Sequence, residues 1–215
     1  MVRIAGTTGV VVTVVALLMA CRVGLPVDDP SGDETPAGDG TSGAGVDTLQ
    51  AGDLVITEVM QNPAQVSDAD GEWFEVFVAS TEEVDLQGLE VSDNGSDSFS
   101  VGSSLVVQPG SYVVFGNSGD ASTNGGVTVD FVYGAAMTLS NADDEIVLTN
   151  GSGEIDRVDY DGGPGFPDPT GASMQLDPDH RTHTGNDSGA NWCESTVSFG
   201  EGDSGTPGAT NEECP

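Results

Sequence analysis

From Leu54 onward, short apolar runs alternate with turn residues: LVITEVM, EWFEVFVAS, VDLQGLEV, SLVV, SYVVFG, VDFVYG, EIVLTN, EIDRVDY and SMQLD. The runs recur roughly every ten residues between PG, NG and GG, which predicts short strands and turns in an all-β sandwich or barrel. Alternation assigns faces. Phe74, Val76 and Val78 fall on one side of their strand, as Ile146 and Leu148 do on theirs. TNGSG at 149–153 reads as a hairpin turn, because glycine adopts positive φ without steric cost. No helix-period stretch follows the N-terminal region, and no internal repeat is visible.

Two segments precede this pattern. The chain opens MVRIAGTTGVVVTVVALLMAC, with Arg3 at its positive end and an apolar run from Val10 to Ala20. That run is short for a membrane span, which needs about 20 residues, and suits the core of a signal peptide. It ends in Leu18-Met19-Ala20-Cys21, which resembles a bacterial lipobox. The resemblance implies a diacylglyceryl group on the Cys21 sulfur and cleavage after Ala20, leaving residues 1–20 as a lipoprotein signal peptide. A thiol is required there because only it forms the thioether. Arg22 stands where aspartate would signal inner-membrane retention, so the expected location is the outer membrane. Residues 21–53 are then a lipid-anchored acidic linker. The stretch 28–53 carries so few apolar side chains that burial does not offset the entropy of ordering, and it reads as a disordered tether. The domain itself is expected to span 54–215.

Charge narrows the partners. Four arginines and no lysine stand against 36 acids among 215 residues, a net charge of −32. Nucleic-acid binding is excluded, since its affinity comes from cations meeting phosphates. Divalent cations, high salt or plain solubility each account for the acids.

The stretch SDADGEW at 67–73 poses the metal question directly. Placing Gly71 at the sixth position of an EF-hand loop puts Asp68 and Asp70 at ligand positions, but Val66 and Phe77 then occupy the first and last. The loop fails at both ends. It reads first as the turn that launches a strand. Asp68, Asp70 and Glu72 remain a candidate calcium set of hard oxygens, helped by a loop such as Asp93 to Asp97. No other cofactor is expected.

Cys193 and Cys214 remain after Cys21, and export to an oxidising space makes a bridge between them the default. Closing that loop stabilises by about 3 kcal/mol. Inside it, GDSGTP at 202–207 imitates the nucleophile segment of chymotrypsin-like proteases, with His180 or His183, Asp187 and Ser204 in His-Asp-Ser order. A triad needs its members carried by separate scaffold segments around a cleft, and these crowd into the C-terminal end of the chain. The same histidines, with Asp177 or Asp179, form a second candidate metal set within a polar loop, where exposed loop histidines are the commoner identity. With so many acids, paired carboxylates arise by chance, so no glycosidase pair is read.

Several runs, in this order, resemble a lamin tail domain: LVITEVMQNP (54–63), GEWFEVFVAS (71–80), VDLQGLEVSD (84–93), VVQPGSYVVF (106–115), LSNADDEIVLTNGSGEIDRVDY (139–160) and GTPGATN (205–211). The resemblance implies an immunoglobulin-like β-sandwich. Leu89 stands where the family often has tryptophan, and Val78 where it often has asparagine. The rod and the prenylation box of lamins are missing, so filament and nuclear roles do not carry over. The expected function is a non-catalytic binding or structural module displayed on the bacterial cell envelope as a lipoprotein. Its membrane contact is the lipid at Cys21, and its partner is an envelope protein or glycan. Alternatives are a calcium-dependent adhesion or matrix protein and, disfavoured, a hydrolase.

Overall fold

The computed structural model describes residues 44–215; the expected signal peptide at 1–20, Cys21 and the part of the expected linker up to residue 43 lie outside the described residues. The described chain is all β. Its strands are β1 (Ala44–Gly45), β2 (Leu54–Met60), β3 (Trp73–Val78), β4 (Val84–Asp85), β5 (Glu90–Ser92), β6 (Ser98–Ser100) and β7 (Val106–Val107). They continue as β8 (Tyr112–Gly116), β9 (Phe131–Val132), β10 (Asp143–Asn150), β11 (Gly153–Asp161), β12 (Met174–Leu176) and β13 (Trp192–Glu194). A single helical turn, α1 (Asp68–Gly71), precedes β3.

The strands form an immunoglobulin-like β-sandwich. One sheet runs β13-β12-β2-β3-β8-β9, another β11-β10-β5-β6, and a small third β1-β4-β7. The alternation read from the sequence decides what fills the space between them. Phe74, Val76 and Val78 from β3 meet Ile146 and Leu148 from β10 in one core cluster. Phe115, Tyr133 and Phe99 stack against Phe74 and one another at ring separations of 5.0–6.2 Å. Such offset aromatic contacts add to the burial of apolar area. Leu89 and Val78, the two departures from the family pattern, are both fully buried in this core. The hairpin expected at TNGSG joins β10 to β11, pairing Asn150 with Gly153, whose φ is 140°.

The domain starts earlier than the apolar pattern indicates. Ala44–Asp53, expected to be linker, packs onto the sandwich. β1 pairs in parallel with β4, and Val46 and Leu49 enter the core. Asn150 Nδ2 donates to the carbonyls of both, at 2.7 and 3.0 Å. Two apolar side chains spaced by polar ones are too sparse to read as a strand, yet they close one end of the core.

Two features connect the sheets to what lies outside them. β2 has a register irregularity between Ile56 and Glu58. There the Ile56 N–H donates to Asp156 Oδ2 of β11 at 2.6 Å, linking two sheets through a buried carboxylate. The bulge also turns Glu58 and Met60 to the face of the large sheet opposite the core. That outer face is covered in turn. Met60, Trp73, Val114 and Val127 form a second apolar cluster, with Phe199 edge-on to Trp73 at 6.0 Å. Further along, the guanidinium of Arg181 lies 3.9 Å over the Phe77 ring, and Tyr112 packs against the same phenylalanine.

Candidate functional site

The DADGEW stretch is neither an open loop nor a metal ring. Ser67, extended at φ −71° and ψ 153°, precedes α1, and its hydroxyl donates to Asp70 Oδ2 at 2.7 Å. The turn is tight: a Cβ on Gly71 would meet Val66 Cγ2 at 2.3 Å, so only glycine fits. The chain then becomes extended at Glu72 and enters β3.

That change of direction sends Glu72 inward. Its Oε2 accepts the Leu139 N–H at 3.0 Å. Its main-chain carbonyl accepts the Tyr133 hydroxyl at 3.2 Å and the Asn117 N–H at 3.1 Å. Above it opens a cleft of about 530 Å³, walled by α1, by Asn117 at the end of β8, and by the segment 134–141. Ala135, Met137 and Leu139 give one wall an apolar surface. Asp68, Asn117 and Asn141 supply the polar rim. Asn117 Nδ2 donates to the Asp68 carbonyl at 2.6 Å, and Asn141 Nδ2 to Asp68 Oδ2 at 3.0 Å. Asn117 Oδ1 is buried and has no hydrogen-bond partner among the described residues.

The electrostatics are one-sided. Burial, reinforced by the charges of Asp68 and Asp144, pushes the Glu72 carboxyl up to about 7 against the bond from Leu139. Burial likewise raises Asp144, and it holds the Tyr133 and Tyr160 phenols above their ordinary range. Desolvation penalises a charged form, and among the described residues neither arginine pairs with these groups to offset it.

The structure places the other candidate residues apart from this cleft or from one another. Asp68, Asp70 and Glu72 point to Asn141, Ser67 and Leu139 respectively and do not converge. Among the described residues no group of three or more His, Cys, Asp or Glu side chains is arranged to hold a metal ion, so the calcium set and the histidine set both lack that geometry. Asp68 and Asp70 sit two apart in a helical turn and Glu72 is the extended residue after it, so their side chains leave in different directions. Asp93 and Asp97 do not join Asp68: Asp93 Oδ1 accepts the Gly95 and Asp97 N–H groups, and Asp97 Oδ2 accepts Thr138 N–H.

The GDSG segment is a clasp. Asp203 accepts the Ala64 and Gln65 N–H groups, while Ser204 bridges to Ala172 and Ser198. Among the described residues no hydrogen bond joins Ser204 to either histidine, and His183 lies instead against Gly52. Cys193 and Cys214 form the expected disulfide, their Cα atoms 5.7 Å apart. Asn117 and Met137 escaped the sequence reading because each sits beyond a strand end, where no periodicity marks a side chain's direction.

A family model described as Lamin Tail Domain matches the chain over residues 48–162, a span that includes the hairpin at 150–153 and the bulged β2. This chain belongs to the lamin tail domain family. The matched region contains the Glu72 cleft and begins at Thr48, within the stretch that the apolar pattern had left to the linker. GTPGATN at 205–211, part of the sequence resemblance, lies beyond the match. No curated protein and no solved structure matches the chain. As a lamin tail domain, the chain is a β-sandwich of binding or structural type, and its cleft is the concave feature that such a scaffold holds in fixed geometry.

Proposed function

We propose that this lamin tail domain is a non-catalytic binding module displayed on the bacterial cell envelope as a lipoprotein, tethered through Cys21. The observation that carries the reading is the Glu72 cleft. It is preformed, partly apolar and lined by fixed polar atoms, the usual make-up of a ligand site. Ser140 is the serine on its lining, and among the described residues the Ser140 hydroxyl oxygen accepts the Ala142 N–H and makes no hydrogen bond to an acid or a histidine that would activate it. Display rests on the lipobox-like Leu18-Met19-Ala20-Cys21 and the acidic stretch after it. A calcium-dependent adhesion role has no converging carboxylate set among the described residues to support it.

Mass spectrometry of the protein from its native host tests the display. The expected result is a chain beginning at a diacylglyceryl-modified Cys21 in the membrane fraction. An unmodified Cys21 in soluble material overturns the envelope assignment.

A further inference from the structure

We propose that the Glu72 cleft binds the ammonium end of an aliphatic amine, with a diamine or polyamine as the ligand class. The inference rests on the reading of the domain as a binding module and deepens it.

Many donors at the cleft are already directed at its own acids and carbonyls, although the Thr138 and Ser140 hydroxyls on its lining make no recorded donation among the described residues. Asn117 Nδ2 and Asn141 Nδ2 each direct one N–H to Asp68. Leu139 N–H is spent on Glu72, Thr138 N–H on Asp97, and Ser140 N–H on Asp144. The Tyr133 and Tyr160 hydroxyls donate to the carbonyls of Glu72 and Ser140.

The acids and one amide oxygen lack matching donors among the described residues. Asn117 Oδ1 is buried without a partner among them. Glu72, whose side chain lines the cleft while the residue is only 2% exposed, has its second carboxyl oxygen outside every hydrogen bond among the described residues. Asp68, also on the lining, has a second carboxylate oxygen outside every hydrogen bond among the described residues. A buried acceptor without a donor is costly, and here the acceptors belong mostly to acids, so a cation that brings several donors matches the site. An ammonium group has three donors and no acceptor.

Charge points the same way. The chain has no lysine to fill this role from within. Arg157 is held by Glu154 and Asp159, and Arg181 lies over Phe77, so neither serves Glu72. The net charge of −32 draws cations toward the domain, and a low-dielectric cleft concentrates that field.

Size and lining exclude a bare ion as the best match. A cleft of about 530 Å³ exceeds what one ion fills, and the acids around it do not converge as metal ligands do. The apolar wall of Ala135, Met137 and Leu139 instead suits methylene groups carried behind the charge. Burying them against that wall removes apolar surface from water.

Binding should be linked to protons. The groups facing Glu72 are Asp68 from α1, Asp144 from β10, and the Tyr133 and Tyr160 phenols. With Glu72 near 7, an ammonium ligand binds the ionised form and expels the proton that the neighbouring acids favour.

Calorimetric titration of the full chain with 1,5-diaminopentane and with spermidine, at fixed ionic strength, tests this. Expected are saturable one-to-one binding, proton release, and affinity roughly tenfold higher at about pH 8 than at about pH 6. Glu72→Gln should weaken binding at least about tenfold while leaving an acceptor for Leu139. Ala69→Trp, which crowds the cleft and breaks no hydrogen bond, should weaken it comparably in a chain whose fold is verified by circular dichroism. No saturable binding, or binding unchanged in a folded Ala69→Trp chain, overturns the proposal; the second result marks the amine as a diffuse counterion. Equal displacement by calcium and magnesium also overturns it. Should binding fail while Cys21 proves lipidated, this inference falls and the envelope display stands.

Discussion

Glu58 and Glu75 are cross-strand neighbours in β2 and β3, both carboxyl groups are fully buried, and the C-terminal segment is bound across them. Glu58 accepts the Ser173 hydroxyl and, at 2.8 and 2.9 Å, the N–H and hydroxyl of Thr206. Glu75 accepts the Thr57 hydroxyl at 2.8 Å and the Gly208 N–H at 2.7 Å. Asn211 completes the docking by donating to the carbonyls of Thr57 and Leu176, at 2.8 and 2.9 Å. Residues 204–211 thus form a strap, and its backbone donors are met by two acids placed more than a hundred residues earlier.

Two acids buried side by side make stability depend on pH. Burial pushes Glu58 up to about 7, and burial plus the charge of Glu58 pushes Glu75 up to about 8, against an ordinary 4.5. The folded chain therefore holds protons that the unfolded chain has already released. Their contribution is complete below the unfolded value and is lost as pH rises through the folded ones. At the acid end, Asp85 and Asp161, whose values lie below the ordinary 3.8, act with the opposite sign. Thermal melts should peak at about pH 4 to 5 and fall steadily toward about pH 9. Glu58→Gln and Glu75→Gln should each flatten that decline, by up to about 1.4 kcal/mol per pH unit. A slope equal to wild type in both variants would assign the effect to net charge instead.

The disulfide fastens the strap. Cys193 ends up beside the strap because β13 pairs with β12, and Cys214 lies just past the docking point of Asn211. Opening a loop with a sequence separation of 21 should cost about 3 kcal/mol. In hydrogen exchange, a reductant should raise exchange at Thr206 and Gly208 well before it affects β3.

Asp156 separates the worth of a hydrogen bond from the cost of a charge. Its Oδ2 accepts from Ile56 N–H and from Asn186 Nδ2 at 2.7 Å, and burial pushes the carboxyl up to about 7. Asp156→Ala leaves the Ile56 N–H buried without a partner, while Asn186 Nδ2 keeps its bond to the Ile56 carbonyl, and should cost about 1–3 kcal/mol in urea denaturation. Asp156→Asn keeps an acceptor and cannot ionise, so at about pH 8 it should be no less stable than wild type.

Arg181 is anchored by aromatic faces. It lies over Phe77 and also hydrogen-bonds the Tyr112 hydroxyl. Arg181→Lys keeps the charge and loses the planar stack and fork, so it should recover little of the roughly 1 kcal/mol lost in Arg181→Ala. A double-mutant cycle with Phe77→Leu checks the coupling.

Much of the sandwich was legible because its signals are local. Period-two alternation told which side of β3 and β10 faces the core, and NGSG told where the chain reverses. The cleft was legible only as a question. SDADGEW announced a turn and a group of acids, but the directions of Asp68, Asp70 and Glu72 depend on Asn141, Ser67 and Leu139, two of which lie more than sixty residues away. The boundary at residue 44 was hidden for a related reason: Val46 and Leu49 gain their meaning only from the core end they close.

By itself the sequence determined the strands, the hairpin, the lamin tail family, and a cysteine pair near the C-terminus. These follow from neighbours along the chain, where sterics and periodic burial act. Only the tertiary structure decided which acids are buried and which stay in water. LVITEVM and EWFEVFV have two faces, and the sequence of a strand does not say whether its second face meets solvent or a returning strap. Glu58 and Glu75 carry no mark along the chain that sets them apart from the other acids, and Glu72 stood out only as a candidate calcium ligand. Their fates were set by what packed over them, and that depends on contacts between segments far apart in the chain.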